Sequence, residues 1–350
     1  MDLYGNAQYS TAKRWLFELL YRSGLAHLFR FRQRNSVLVA MYHDVLPAGF
    51  PEGNPLFGMT VTVDEFDWQV AFFRKYFSPI SFQQFSDWYF DGAALPRNPV
   101  LITFDDGHVN NFRHALPVLK KYSVGAICFV VSGEIGKCRK TWYEDAYFRL
   151  MFSSARSWRS RDGECMVLDT SKQRMAACSR FFVLCRGLSE MEQHAELDSL
   201  RDQLPLSSTE DEFRERFTFL GTEEIWKLAE TGIEIGSHTV SHPILATVEL
   251  ERARRELAES KSQLECAAKR TVRSFAYPFG ASGLDFNARD EALVRESGYT
   301  LAFASQGGFA NCSSKRYALP RIGIGRMTRA QFAATVTGAV DSLKSVLGSR

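Results

Sequence analysis

The nine residues Pro99-Val100-Leu101-Ile102-Thr103-Phe104-Asp105-Asp106-Gly107 decide how this chain is read. An apolar run without alternation is the pattern of a strand covered on both faces, as in a parallel sheet. The run stops at two adjacent carboxylates, which disfavour each other's ionisation and gain nothing from apolar surroundings. Something at the end of this strand must hold two acids side by side. One candidate is a helix N-terminus, where Asp105 or Asp106 accepts backbone N–H bonds. The other is a cation.

Six more apolar stretches share that grammar: SVLVAMYHDV (36–45), GAICFVV (125–131), IEIGSH (233–238), RSFAYPFG (273–280), YTLAFAS (299–305) and ALPRIGI (318–324). Between them, apolar spacing of three and four predicts helices over 64–77, 82–90, 111–123, 222–231, 248–268, 287–297 and 328–346. About seven short strands alternating with helices predict an α/β fold, a closed β/α barrel with its chemistry at the C-terminal strand ends. An open doubly wound sheet is the alternative, but no glycine-rich phosphate loop follows the first strand.

Two segments depart from the alternation. Residues 134–220 are rich in Arg, Glu, Ser and Met, helical in pattern, and without a convincing buried strand. They read as an inserted helical subdomain or cap, dividing the barrel into 36–133 and 221–350. Residues 1–35 form a basic amphipathic N-terminal segment. Within 11–34, Trp15, Leu16, Leu19, Leu20, Leu25, Leu28 and Phe29 recur at helical spacing among six basic residues and one acid. Such a helix either lies on an anionic membrane face or packs its apolar stripe on the body of its own protein.

Composition sets outer limits. The chain has 350 residues, 45% hydrophobic and 24% charged, an ordinary globular balance. A net charge of +3 with no basic stripe argues against a nucleic-acid binder. Seven cysteines without a CxxC pair indicate neither a disulfide framework nor a zinc–thiolate knuckle, and scattered, mostly buried free thiols are expected. Those thiols, and the absence of a secretory signal pattern, place the protein in the cytoplasm as an expectation, with the inner membrane face available to residues 11–34.

The polar clusters all fall at strand ends: His43, Asp105-Asp106, Ser237-His238 with His242, Tyr277-Pro278-Phe279-Gly280, and Arg321. A barrel brings those ends to one rim. His238 and His242 lie four apart, so one turn or tight loop aims both imidazoles at one ion. Two neutral imidazoles and a carboxylate make a facial set for a divalent metal with open positions. One of the two aspartates then ligates the ion, and the other stays unligated as a general base toward water.

TFDDG (103–107), SHTVSH (237–242) and FAYPFG (275–280), in that order, resemble the NodB-homology polysaccharide deacetylases of carbohydrate esterase family 4. AMYHDV (40–45) and LPRIGI (319–324) are similar to the branch of poly-N-acetylglucosamine deacetylases. The resemblance spans about 36–326 without the insertion. It implies a distorted (β/α)7 barrel, a divalent metal (usually zinc), and removal of acetyl groups from a glycan. The commonest chemistry of the family is N-deacetylation of N-acetylhexosamine units. By the same resemblance Asp105 matches the base, and Asp106, His238 and His242 match the metal ligands. Tyr277, Pro278, Phe279 and Gly280 match the motif that forms the oxyanion site and acetate pocket. An O-acetyl esterase on the same fold, or a glycan-binding protein that has lost the chemistry, is the competing reading.

Two positions depart from the family pattern. Ala276 stands where an arginine usually pairs with the base, and no histidine follows His242 to serve as the acid. His43 is expected to take the acid's place, and Arg321 the arginine's, with a guanidinium fork gripping Asp105. Arg273 is the rival for that grip. His108 either touches substrate or merely caps a helix in solvent. Trp142 and Tyr143 either line a sugar subsite or pack in a core. His27, His114 and His194 read as surface or packing residues.

Overall fold

The pairing of the apolar stretches follows from a computed structural model, which describes residues 11–31, 33–49, 59–206 and 214–340. Seven parallel strands form one sheet: β1 (Leu38–Tyr42), β2 (Pro99–Phe104), β3 (Ala126–Val130), β4 (Glu234–Ser237), β5 (Ser274–Ala276), β6 (Leu301–Phe303) and β7 (Ile322–Gly323). Their spatial order is β6-β5-β4-β3-β2-β1-β7. A two-residue strand, Ser78–Pro79, pairs with the start of β2. The outer edges meet at Leu319, whose carbonyl accepts from the Ala304 N–H at 2.8 Å and whose N–H donates to the Ala302 carbonyl at 2.9 Å. The sheet is a distorted (β/α) barrel, the expected alternative to an open doubly wound sheet.

The absence of alternation has a direct cause. β1, β2 and β3 are buried along their whole length. Val39, Leu101, Ile127, Phe129 and Phe303 fill one side of the sheet. Leu38, Ile102, Cys128 and Ile235 pack on the other, beneath the surrounding helices.

In chain order the helices are α1 (Thr11–Arg22), α2 (Ala26–Phe31), α3 (Val63–Tyr76), α4 (Phe82–Asp91), α5 (Leu116–Tyr122), α6 (Trp142–Phe152), α7 (Ser171–Cys185), α8 (Glu190–Gln203), α9 (Thr222–Glu230), α10 (Leu250–Ala268), α11 (Ala288–Glu296) and α12 (Arg329–Val336). Of these, α3, α5, α9, α10, α11 and α12 cover that second side, while Phe82 and Phe85 of α4 pack on the first. Thr62 with Glu65 and Ser81 with Gln84 form reciprocal capping boxes that start α3 and α4 at defined residues. The helix expected from 111 begins instead with a widened turn at Asn111–Ala115. There Asn110 donates to Asp44 at 2.8 Å and Asn111 to the His43 carbonyl at 2.7 Å, which ties the helix start to the end of β1. The last part of the helix expected over 328–346 lies outside the described residues.

Residues 142–204 hold α6, α7 and α8 and also an antiparallel ribbon, Ser157–Arg159 with Cys165–Val167, which the helical reading of this segment lacks. Three residues per strand are too few for periodicity to register, and Trp158 alone is buried there. Tyr147, Leu150, Trp158, Phe181 and Leu200 form an apolar cluster that reaches Ile244 on the barrel rim.

At the N-terminal end, α1 buries Phe17 and Leu20 against Ala330 and Ala334 of α12. The apolar residues of this segment thus divide between two faces, since Trp15, Leu19, Leu25 and Leu28 remain exposed. All seven cysteines are free, as expected, but Cys138, Cys165, Cys266 and Cys312 are exposed and only three are buried. Those four lie on surface loops, short edge strands and helix ends, where sequence patterning says little about burial.

Candidate active site

The strand ends converge on a pocket lined by His43, Asp105, Asp106, His238, His242 and Phe279, with Tyr143 and Arg216 from the inserted segment. Tight turns hold these groups. Asp106, Thr239, His242 and Phe279 have φ of +72°, +67°, +56° and +59°, a region that L side chains rarely adopt. Such strain persists only where the surroundings over-determine it, and it marks functional sites. Gly107 at φ +79° is required by close approach, because a Cβ there would sit 2.9 Å from Val130 Cγ1.

Asp106 ends one such turn, and its Oδ1 lies 3.6 Å from His238 Nε2 and 3.5 Å from His242 Nε2. The Nδ1 of His238 donates to the Ala276 carbonyl at 2.7 Å, which leaves its Nε2 as the acceptor nitrogen facing Asp106. Burial holds the pKa of both imidazoles below the usual histidine value, so both rings are neutral. Burial, with Glu144 and Asp105 adding to it, pushes the Asp106 carboxyl up to about 7. The three donor atoms lie within 4.8 Å of one another. A tetrahedral ion with bonds of about 2.1 Å needs ligand separations of about 3.4 Å. The donor set and its spacing therefore fit a divalent metal, and a cation would remove the penalty on Asp106.

Asp105 points to different company. Arg321 Nη1 donates to its Oδ1 at 2.6 Å and Nη2 to its Oδ2 at 2.7 Å. The guanidinium is fully buried, with Nε donating to the Ala304 carbonyl at 3.0 Å. Burial alone would raise the Asp105 pKa, but the charge and hydrogen bonds of Arg321 outweigh it, and the carboxyl lies below its ordinary value. Arg273 takes no part, since it bonds Gln83 and Glu234 at the opposite end of β5.

The remaining expected residues divide. Phe279 lines the pocket, with its ring 5.0 Å from that of His242. No hydrogen bond among the described residues takes up its N–H. Gly280 at φ +75° packs on Ser305, where a Cβ would lie 2.4 Å from Oγ. Tyr277 turns the other way, stacked on Phe286 at 3.7 Å within the core: it faces the side opposite its neighbour Ala276, and the left-handed turn at Phe279, φ +59°, breaks the alternation before the pocket. It shapes no wall of the pocket. His43 lines the pocket, and desolvation lowers its imidazole pKa to about 4.

His108 is neither a cap nor a solvent residue. It is fully buried, with Nδ1 3.1 Å from Asp44 and Nε2 3.3 Å from Glu144. Arg216 completes the cluster, 2.7 Å from each of the same two carboxylates. The acids Asp44 and Glu144 push His108 up to about 9, while the charges of Arg216 and His108 keep Glu144 down at about 2. Two cations thus balance two anions out of water, the condition under which buried charge is tolerated. Glu144 and Arg216 come from the inserted segment and carry no motif, so sequence reading passes over them. Trp142 donates from Nε1 to the His242 carbonyl at 3.0 Å, and the Tyr143 ring lies 4.4 Å from the His242 ring. Both pack against the candidate ligand turn. His114 bonds Glu215 at 2.9 Å and His194 is exposed, both away from the pocket, whereas the His27 side chain lies outside the described residues.

The chain is similar to known proteins in fold and in sequence. Two solved structures share the fold over 87% of this chain: the Streptococcus pyogenes deacetylase PplD (18% identity, 99% of that chain, TM-score 0.57) and IcaB from Ammonifex degensii (19%, 97%, 0.56). Among curated sequences, YxkH of Bacillus subtilis is 22% identical over 223 residues, 64% of this chain and 50% of its own length. The poly-beta-1,6-N-acetyl-D-glucosamine N-deacetylase of Staphylococcus aureus is 25% identical over 114 residues, 30% of this chain and 39% of its own. The chain thus spans half or less of the length of these curated relatives. A sequence model described as polysaccharide deacetylase matches residues 92–302, the stretch that carries the acid pair, the histidine turn and the Phe279 turn. On that match, the chain belongs to the polysaccharide deacetylase family.

Proposed function

We propose that this protein is a metal-dependent hydrolase that removes acetyl groups from a glycan, acting on the N-acetyl groups of N-acetylhexosamine units. One observation carries the reading: Asp105, gripped by a buried arginine, stands beside a separate Asp106–His238–His242 donor set. Asp106, His238 and His242 would hold the ion, with zinc the best match to two nitrogens and one oxygen. When bound, a divalent ion supplies Lewis-acid polarisation of an acyl oxygen and lowers the pKa of water.

The chain's own groups do the rest. Asp105, ionised and fixed in one rotamer, takes the proton from the attacking water. The unspent Phe279 N–H points a donor at the developing oxyanion. His43 passes a proton to the departing nitrogen. Because burial keeps His43 neutral at rest, it can donate only after receiving a proton, and Asp105 would hand on to it the one taken from water.

The same low pKa favours one second reading, an O-acetyl esterase, because an alkoxide leaving group needs less help from an acid. Acetate release from a panel of N-acetylated and O-acetylated oligosaccharides by the zinc-loaded protein tests both. Release from the N-acetylated set, lost in Asp105→Asn with metal content unchanged, supports the main reading. Release confined to esters selects the second. Glycan retention without any acetate would leave a non-catalytic binder and overturn both.

A further inference from the structure

The base of the barrel, where the strands begin, has chemistry that deacetylation does not use. A groove of about 720 Å³ lies there, walled by Leu28, Arg30, Arg34, Lys75 and Arg97 among others, with no carboxylate among its described lining residues. Arg34, Lys75 and Arg97 are exposed. Arg30 is 2% exposed, fixed by hydrogen bonds to the Gln33 and Ser36 carbonyls at 2.7 and 2.8 Å. Its buried Nε makes no hydrogen bond among the described residues. A groove lined by four cations and, among the described residues, by no acid suits an anion.

Exposed apolar side chains stand on α1 and α2, and α2 supplies Leu28 and Arg30 to the groove. Leu28, which also lines the groove, is 65% exposed, Leu19 63% and Trp15 72%. Their helices are not loose: Phe17, Leu20 and Ala26 anchor the opposite face to α12 and the residues after it. The outward side chains therefore cannot be buried by the same packing. No helix among the described residues is long and apolar enough to cross a membrane.

We propose that this end of the molecule docks on an anionic lipid bilayer. One partner then satisfies both features, with acyl chains covering Trp15, Leu19 and Leu28 and anionic headgroups entering the groove. A second copy of this chain is the poorer occupant, because it would bring the same cations to a cationic groove. The orientation follows from β2, which starts at Pro99 beside the groove and ends before Asp105. Six residue steps along a strand span about 20 Å. A docked molecule holds its pocket on the side away from the bilayer, facing glycan that extends from the surface rather than groups at the headgroup plane. Docking itself does not depend on the deacetylase reading.

Flotation of the full chain with phosphatidylcholine vesicles, with and without phosphatidylserine, tests the proposal at low and at about 0.5 M salt. Binding is expected only with phosphatidylserine and low salt. It should fall at least about tenfold in an Arg34→Glu, Lys75→Glu, Arg97→Glu variant. A Trp15→Ser, Leu19→Ser, Leu28→Ser variant should bind as weakly while eluting as a folded monomer. Absence of binding to anionic vesicles, or binding unchanged in the charge-reversed variant, would overturn it. So would self-association of the wild type that disappears in the serine variant, since a second copy would then own the face.

Discussion

Arg321 and Asp105, 216 positions apart in sequence, meet in a buried two-bond fork of 2.6 and 2.7 Å. The fork fixes the carboxylate in one orientation and lowers its pKa by charge and hydrogen bonding together. Arg321→Met should lower kcat/KM by about a hundredfold, in the range set by general-base catalysis, with zinc content unchanged. The sign of the pH effect is fixed as well. Losing the guanidinium raises the Asp105 pKa, so the acid limb of the kcat/KM profile should move to higher pH. A mutant with the wild-type limb would separate Arg321 from the base.

Gly280 allows Phe279 to sit where it does. A methyl at Gly280 meets both strain at φ +75° and the Ser305 backbone nitrogen at 2.7 Å. Gly280→Ala should cost about 2 kcal/mol of stability and displace the Phe279 N–H. The expected outcome is a lower Tm together with turnover reduced more than metal affinity. Unchanged turnover would remove that N–H from the mechanism.

The Glu144–His108 pair ties the inserted segment to the barrel, and the contribution of Glu144 depends on pH. Glu144 is held down at about 2 against an ordinary 4.5. A depressed carboxyl stabilises the fold above its unfolded pKa and loses that contribution as pH falls through the folded one. The window is therefore about pH 4.5 down to 2, and the full effect is roughly 3 kcal/mol. Thermal scans across that range should show a steep loss of Tm in the wild type. Glu144→Gln should be less stable at neutral pH and show a shallower acid slope. Parallel slopes would mean that this pair carries no such linkage.

Tyr143 presses its ring on His242 and, with Trp142, limits how that imidazole can turn. Tyr143→Phe keeps the ring and should retain zinc affinity. Tyr143→Leu loosens the wall and should weaken zinc binding about tenfold, the usual scale for a residue supporting a ligand. Competition with a chelating dye measures both. Equal affinities in all three proteins would show that His242 needs no such wall.

Unbroken apolar runs ending in polar clusters determined the parallel strands and the rim on which the chemistry sits, because burial on both faces leaves no other pattern. The four-residue spacing of His238 and His242 determined a paired-imidazole turn, and the Ala276 departure pointed to a second arginine for Asp105. What the sequence could not show was decided by long-range packing. Tyr277 and Phe279 sit in one motif, yet the pleat sends Tyr277 into the core and the turn sends Phe279 to the pocket. Asp44, His108, Glu144 and Arg216 have no common spacing, and only the docking of the inserted segment on the barrel makes them a neutral buried set. Hydrophobic periodicity is local information. The pairing of Arg216 with Glu144, 72 positions away, and with Asp44, 172 positions away, is not, since burial makes unpaired charges costly and only the tertiary fold determines which ones are buried together.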